Sequence, residues 1–250
     1  MIPFKLRLIR EKNRIYSVIL RVLYKIDYDS SRVYLFHDLV DDKTTIKSKF
    51  TISVNSFELF LHNQIKAGKS PINFEELKSV IISRDRIKNA FIVSFDDANE
   101  SVFLKAYPIL KRLNIPFIIF ITVELIGKEN YLSESQIKQL LKDPLCILGS
   151  HGYHHKMFRY LTEVQVMNEL LESKKYLQNT FNAKIDCFAF PYGRIVECSF
   201  RNMKQLSNSE YLFSFSAISG HLGQSWLTSN YFLPRINVSE EEVSSLYMKL

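Results

Sequence analysis

Phe91-Ile92-Val93-Ser94-Phe95-Asp96-Asp97 decides how this chain is read. Its apolar start has the continuous hydrophobicity of a strand buried on both faces of a parallel sheet. Two adjacent carboxylates at the end of such a strand are costly, because each opposes the ionisation of the other. Packing does not need them, whereas a metal ion or a catalytic proton makes the pair worthwhile. Candidate metal ligands follow at Ser150-His151-Gly152-Tyr153-His154-His155, and a tight turn at Phe188-Ala189-Phe190-Pro191-Tyr192-Gly193. Together these stretches point to a metal-dependent hydrolase.

The 250 residues suffice for one large core and match the usual length of an α/β barrel. A hydrophobic share of 46% and a charged share of 24% make an ordinary globular mixture. With 7 glycines, and neither a GxGxxG nor a Walker pattern, glycine-rich nucleotide loops are disfavoured. Cys146, Cys187 and Cys198 show no CxxC spacing and read as buried thiols of a reducing compartment. The N-terminus lacks the pattern of a signal peptide: Arg21 interrupts the apolar patch Val18-Ile19-Leu20, and no small-residue cleavage site follows. No run approaches the roughly 18 apolar residues of a membrane span. The expected location is therefore cytoplasmic.

The net charge is +7, and much of the excess lies in the first 25 residues. Ile15, Val18, Ile19, Val22, Leu23 and Ile26 share one helical face, with Arg14, Arg21 and Lys25 elsewhere. Residues 1–30 are thus read as a basic amphipathic segment that either touches a membrane surface peripherally or packs on its own domain. No zinc finger, RNP-like motif or basic-aromatic stripe accompanies the charge, so no nucleic-acid partner is expected.

Residues 31–250 alternate apolar strands with amphipathic helices. Strands are expected at 33–36, 91–95, 116–122, 146–148, 185–190 and 211–217, and helices at 57–65, 74–82, 101–113, 133–141, 162–180 and 240–249. Asn73 reads as an N-cap, Ser133/Gln136 and Thr162/Gln165 as capping boxes, and Pro108 should bend or split its helix. Repeated βα units favour a single-domain, barrel-like parallel sheet, with the chemistry at the C-terminal strand ends. Each of the three motifs falls at such an end.

A hydrolytic metal needs a few fixed ligands and an open position for water. Asp97 can supply an oxygen, and His151 and His155 two nitrogens, a recognised zinc set. Asp96 would then be free to take a proton from the attacking water. Alone, an Asp pair is more often a cap, HxxxH is non-specific, and Pro-Tyr-Gly is an ordinary turn. It is their order along successive strands that carries the reading.

The chain resembles the polysaccharide deacetylases of carbohydrate esterase family 4 over roughly residues 33–238. Ser94-Phe95-Asp96-Asp97 is similar to the first motif, usually TFDDG, and His151 to His155 to the second. The resemblance implies a distorted (β/α) barrel, Asp96 as catalytic base, and Asp97, His151 and His155 as ligands of one divalent metal, most consistent with zinc. His154 falls at a variable place. Phe188 to Gly193 is similar to the third motif, in which the Tyr192 backbone N–H faces the oxyanion. Val33-Tyr34-Leu35-Phe36-His37 is similar to the YH strand of a permuted branch, which implies His37 as general acid; residues 233–238 are similar to that branch's closing segment.

Departures from the family pattern are as informative. Ala98 replaces a glycine and should resist a positive φ, which predicts an altered loop. Gly152 replaces a hydroxyl residue. Ala189 stands near the position of the arginine that orients the base, and Arg235, in preference to Arg194, is expected to do its work. The DxxDW-type motif is not recognisable, and Trp226 has no evident place. The implied activity is removal of N-acetyl from an amino sugar in a glycan or an activated, nucleotide- or lipid-linked precursor. The rival is a catalytically degenerate glycan-binding relative.

Overall fold

The continuous apolar runs become strands of one parallel sheet. The computed structural model describes residues 31–43, 48–83, 88–194, 197–198, 200–222, 230–241 and 243. The strands are β1 (Arg32–Phe36), β2 (Asp38–Val40), β3 (Thr51–Ser53), β4 (Ser70–Pro71), β5 (Ala90–Phe95), β6 (Phe117–Ile121), β7 (Cys146–Ser150), β8 (Cys187–Ala189), β9 (Phe213–Phe215) and β10 (Ile236–Asn237). The main sheet runs β10-β1-β5-β6-β7-β8-β9, with β4 added beside β5, while β2 and β3 form a separate parallel pair. The amphipathic stretches become α1 (Val54–Lys66), α2 (Phe74–Lys78), α3 (Tyr107–Arg112), α4 (Glu134–Leu140), α5 (Glu163–Phe181) and α6 (Phe200–Ser207).

Alternation along each strand sorts side chains onto two faces. Tyr34, Phe36, Phe91, Val93, Phe95, Phe117 and Ile119 pack outward under the helices. Val33, Ile92, Ile118, Phe120, Cys187, Phe215 and Leu233 fill the other face, inside the curl of the sheet. Both faces are dry, so the strands read as unbroken hydrophobic runs rather than alternating ones.

The sheet closes through one short segment. Phe215 of β9 bridges Leu233 in parallel, and Ile236 and Asn237 pair with Tyr34 and Leu35 of β1. Residues 233–238 therefore touch both ends of the sheet and complete a distorted (β/α) barrel, the fold class expected.

The helix caps act as their sequences foretell. Asn73, Ser133 and Thr162 each close a capping box with Glu76, Gln136 and Gln165. Pro108 marks a change within its helix: a π-helical turn covers Val102–Ala106, and Pro108 sits in the first turn of α3, which follows without a break. The second helix likewise continues past α2 as a π-helical turn over Ser79–Ser83. β2, β3 and β4 are too short to show a period, and α6 was also not foreseen. The segment 1–30, Trp226 and most of the expected helix at 240–249 lie outside the described residues. No described helix is long and apolar enough to cross a membrane.

Gly149 of β7 faces the interior where there is no room for a methyl group. A Cβ there would lie 2.5 Å from the Phe120 ring and 3.1 Å from Cys187 Sγ. Gly149→Ala should therefore destabilise the fold by about 1–3 kcal/mol, the usual penalty of overpacking. Urea unfolding measures this; an unchanged midpoint would show that the interior yields freely.

Candidate metal centre and catalytic cavity

The C-terminal ends of β1, β5, β7 and β8 open onto a cavity of about 480 Å³. It is lined by His37, Asp96, Asp97, His151, His155 and Tyr192, with Asp38, Phe50, Asn99 and Arg194 among the surrounding walls. Separate stretches of the sequence thus converge because parallel strands point their ends the same way.

Asp97, His151 and His155 each place one donor atom within 4.8 Å of the others. His155 Nε2 lies 3.1 Å and His151 Nε2 3.5 Å from Asp97 Oδ1. The approaches are off the hydrogen-bond axis, so this buried oxygen has no hydrogen-bond partner. His151 Nδ1 lies 2.8 Å from the Ala189 carbonyl. A carbonyl can only accept, so Nδ1 carries the proton and the Nε2 lone pair faces Asp97, as metal-binding imidazoles are commonly oriented. Two imidazole nitrogens and a carboxylate oxygen left without hydrogen bonds are a donor set that fits a divalent cation.

The electrostatics agree. Burial would raise the Asp97 carboxyl, but His155, His151 and His37 hold it well below the usual carboxylate range. Burial pushes His151 down to about 4, which leaves it neutral and able to ligate near pH 7. His154 is turned elsewhere: its Nδ1 sits 2.7 Å from Glu169.

Asp96 has a different environment. Arg235 clamps it with two hydrogen bonds, Nη1 to Oδ1 and Nη2 to Oδ2, both 2.7 Å. Arg235 has 0% exposure, sends Nε to the Ser216 carbonyl at 2.8 Å, and lies over the Phe120 and Phe215 rings. Burial would raise the Asp96 carboxyl, but Arg235, His151 and His37 draw it below its ordinary value. Of the two arginines weighed for this place, Arg194 instead pairs with Glu197.

His37 follows β1 at the cavity wall, its ring tilted against that of Phe50 at 4.7 Å, and its buried Nδ1 has no hydrogen-bond partner. Burial lowers its pKa, Asp96 and Asp97 counter this, and Arg235 and His155 add to the lowering. His221, which follows the three motifs in the chain, accepts from Arg32 Nε at the opposite end of β1. Tyr192 has φ +63 and packs its ring 4.8 Å from that of His155. Gly193 beside it has φ +59, and a Cβ there would meet Ala217 N at 2.5 Å.

The expected effect of Ala98 is corrected. It adopts φ +63 despite its Cβ, directly after Asp97 at φ +66. Its carbonyl accepts from Leu132 N at 2.9 Å, so surrounding contacts hold the strained turn. Gly152, at φ +83, is a backbone requirement as well as a lost hydroxyl. Sequence reasoning missed Glu169, whose carboxylate binds the histidine loop, and Phe50, which packs on His37. Glu169 carried a signal in retrospect: a charged residue on the apolar face of α5, buried at 4% exposure.

A family model described as polysaccharide deacetylase matches residues 83–209. The chain belongs to the polysaccharide deacetylase family. The match takes in Asp96, Asp97, His151, His155 and Tyr192 and leaves His37 and Arg235 outside. A poly-beta-1,6-N-acetyl-D-glucosamine N-deacetylase of Staphylococcus aureus (strain MSSA476) is 26% identical over 241 residues, covering 89% of this chain and 78% of that protein. Among solved structures, IcaB from Ammonifex degensii shares the fold with a TM-score of 0.75 at 22% identity, covering 88% of this chain and 96% of that one. The Streptococcus pyogenes deacetylase PplD, solved in complex with acetate, also gives 0.75, at 18% identity over 88% of this chain and 97% of that one.

Two outcomes follow from this family member's electrostatics. Arg235→Met should destabilise the fold by about 3–5 kcal/mol, because it strands the buried Asp96 charge; chemical unfolding at pH 7 measures it, and a neutral effect would show that Asp96 does not depend on the pair. For chelator-treated protein, His151 predicts a loss on acidification. Between its folded value of about 4 and its unfolded value of about 6.5, the unfolded chain takes the proton first, so stability falls as pH falls. By pH 5 about 2 kcal/mol should be gone, and His151→Asn should flatten that arm. An unaltered slope would refute the assignment.

Proposed function

We propose that this protein is a metal-dependent N-deacetylase that hydrolyses the N-acetyl group of an amino sugar within a glycan. The observation that carries the reading is the pairing of two carboxylates with opposite surroundings. Asp97 offers a buried oxygen without hydrogen bonds to two imidazoles, while Asp96 beside it is saturated by Arg235. A divalent cation held by Asp97, His151 and His155, zinc by the ligand chemistry, would polarise the acetyl carbonyl and lower the pKa of water.

The chain's own groups supply the rest. Asp96 accepts the proton of the attacking water, with Arg235 fixing its orientation and keeping it ionised until then. The Tyr192 backbone N–H stabilises the oxyanion of the tetrahedral intermediate. His37 gives a proton to the departing nitrogen as the C–N bond breaks, releasing acetate and the free amine. His37, directly after β1, lines the cavity, and Arg235, before β10, clamps Asp96 in its wall, so the two sides of the barrel's closing seam serve one site, which supports a permuted motif order. The staphylococcal relative makes poly-β-1,6-N-acetylglucosamine the first substrate to try.

Purified protein should bind zinc and release acetate from that polymer. Asp97→Ala should lose both properties. Asp96→Asn should keep zinc and lose turnover by about 10²–10⁴-fold, the usual contribution of a general base. His37→Ala should keep zinc and fold but lose turnover. Zinc binding without acetate release from any N-acetylated glycan would favour the binding-only alternative, and equal zinc loss in both aspartate variants would overturn the division of roles.

A further inference from the structure

We infer that Glu169 is a positioning residue that holds the histidine loop in its ligating shape and acts on the metal through His155. This rests on the metal-site reading above. Glu169 lies on α5, outside all three sequence motifs, and does not reach the proposed metal position. Its carboxylate is spent on the loop. Oε2 accepts from the backbone N–H groups of Tyr153 and His154, both at 2.9 Å, and Oε1 meets His154 Nδ1 at 2.7 Å.

The opposite side of the loop is held as well. The Gly152 and Tyr153 carbonyls accept from Val123 N and Glu124 N, at 3.2 and 2.9 Å. Directly after these anchored residues the chain turns through a left-handed His155, φ +53, whose Nε2 lies 3.1 Å from Asp97 Oδ1. Such a φ strains a residue with a side chain and persists where its surroundings enforce it. His151 needs no such support, because it follows directly on β7 and the Ala189 carbonyl orients its ring. The two histidine ligands are therefore held independently, and Glu169 governs the one on the strained turn.

The test is zinc affinity of the folded protein, measured by competition with a chromophoric chelator, beside the thermal midpoint of the metal-free form. Glu169→Ala should weaken zinc by about 10–100-fold, as removal of an outer partner of a ligand does. Glu169→Gln keeps an oxygen for the two amides and should restore affinity to within about threefold of the original. His154→Ala should bind nearly as well as the unaltered protein. Glu169→Asp withdraws the carboxylate by one methylene while keeping its charge; it should lose affinity with little change in the metal-free midpoint, and it decides the matter if the alanine variant does not fold. Unchanged zinc affinity in the Ala and Asp variants would overturn the inference, as would Gln failing to restore it. If the unaltered protein takes up no zinc, the metal reading itself falls, a result distinguishable from the failure of Glu169 alone.

Discussion

Everything at the active end of this barrel depends on the buried pair between Arg235 and Asp96. Removing two charges from water is expensive, and such pairs commonly add little net stability. This one is fully satisfied: both carboxylate oxygens are clamped, and Nε reaches the Ser216 carbonyl. What it achieves is an ionised carboxylate of fixed orientation in a dry interior. Arg235 can stand there because residues 233–238 close the sheet between β9 and β1. Closing the barrel and orienting the Asp96 carboxylate are one structural event.

The second constraint is backbone strain gathered at the strand ends. Asparagines account for several of the left-handed residues, as their local hydrogen bonding allows. Among the described residues, apart from these and the exposed Glu210, the non-glycine positions with positive φ are Asp97, Ala98, His155 and Tyr192. All four are in or beside the cavity. Each costs on the order of 1–3 kcal/mol and is retained where neighbouring contacts over-determine it. Leu132 N holds the turn at Ala98, and Glu169 holds the loop that leads into His155. Strain of this kind aims a side chain or an N–H at a point that an ordinary turn would miss.

Sequence reading reached far into the fold because the strands are long apolar runs and the helices carry explicit caps. Capping boxes at Asn73, Ser133 and Thr162 are local chemistry, completed within a few residues, and so are visible in one dimension. The three-residue strands β2 and β3 have no period to detect, and the π-helical turns around α2 and α3 leave hydrophobic spacing nearly unchanged. For the site, the residues at strand ends were legible because polar groups after a buried run stand out. Phe50 was not, since an exposed aromatic in a polar loop has no pattern. Glu169 was obscured by the opposite problem: a glutamate in a helix is commonplace until its burial is known.

By themselves the residues determined a parallel α/β barrel, its strand-end chemistry, and a carboxylate–histidine set suited to a divalent metal. These follow from hydrophobic continuity, from spacing, and from the limited list of side chains that bind metal or move protons. Tertiary structure alone decided which arginine serves Asp96, which end of the barrel receives His37 and which His221, and which carboxylate braces the histidine loop. Those are contacts between residues far apart in the chain, such as Arg235 and Asp96. Their partners are chosen by strand order and barrel closure, and nothing local to either residue encodes that choice. Ala98 makes the same point for the backbone: its intrinsic preference opposes a positive φ, and the packing around it prevails.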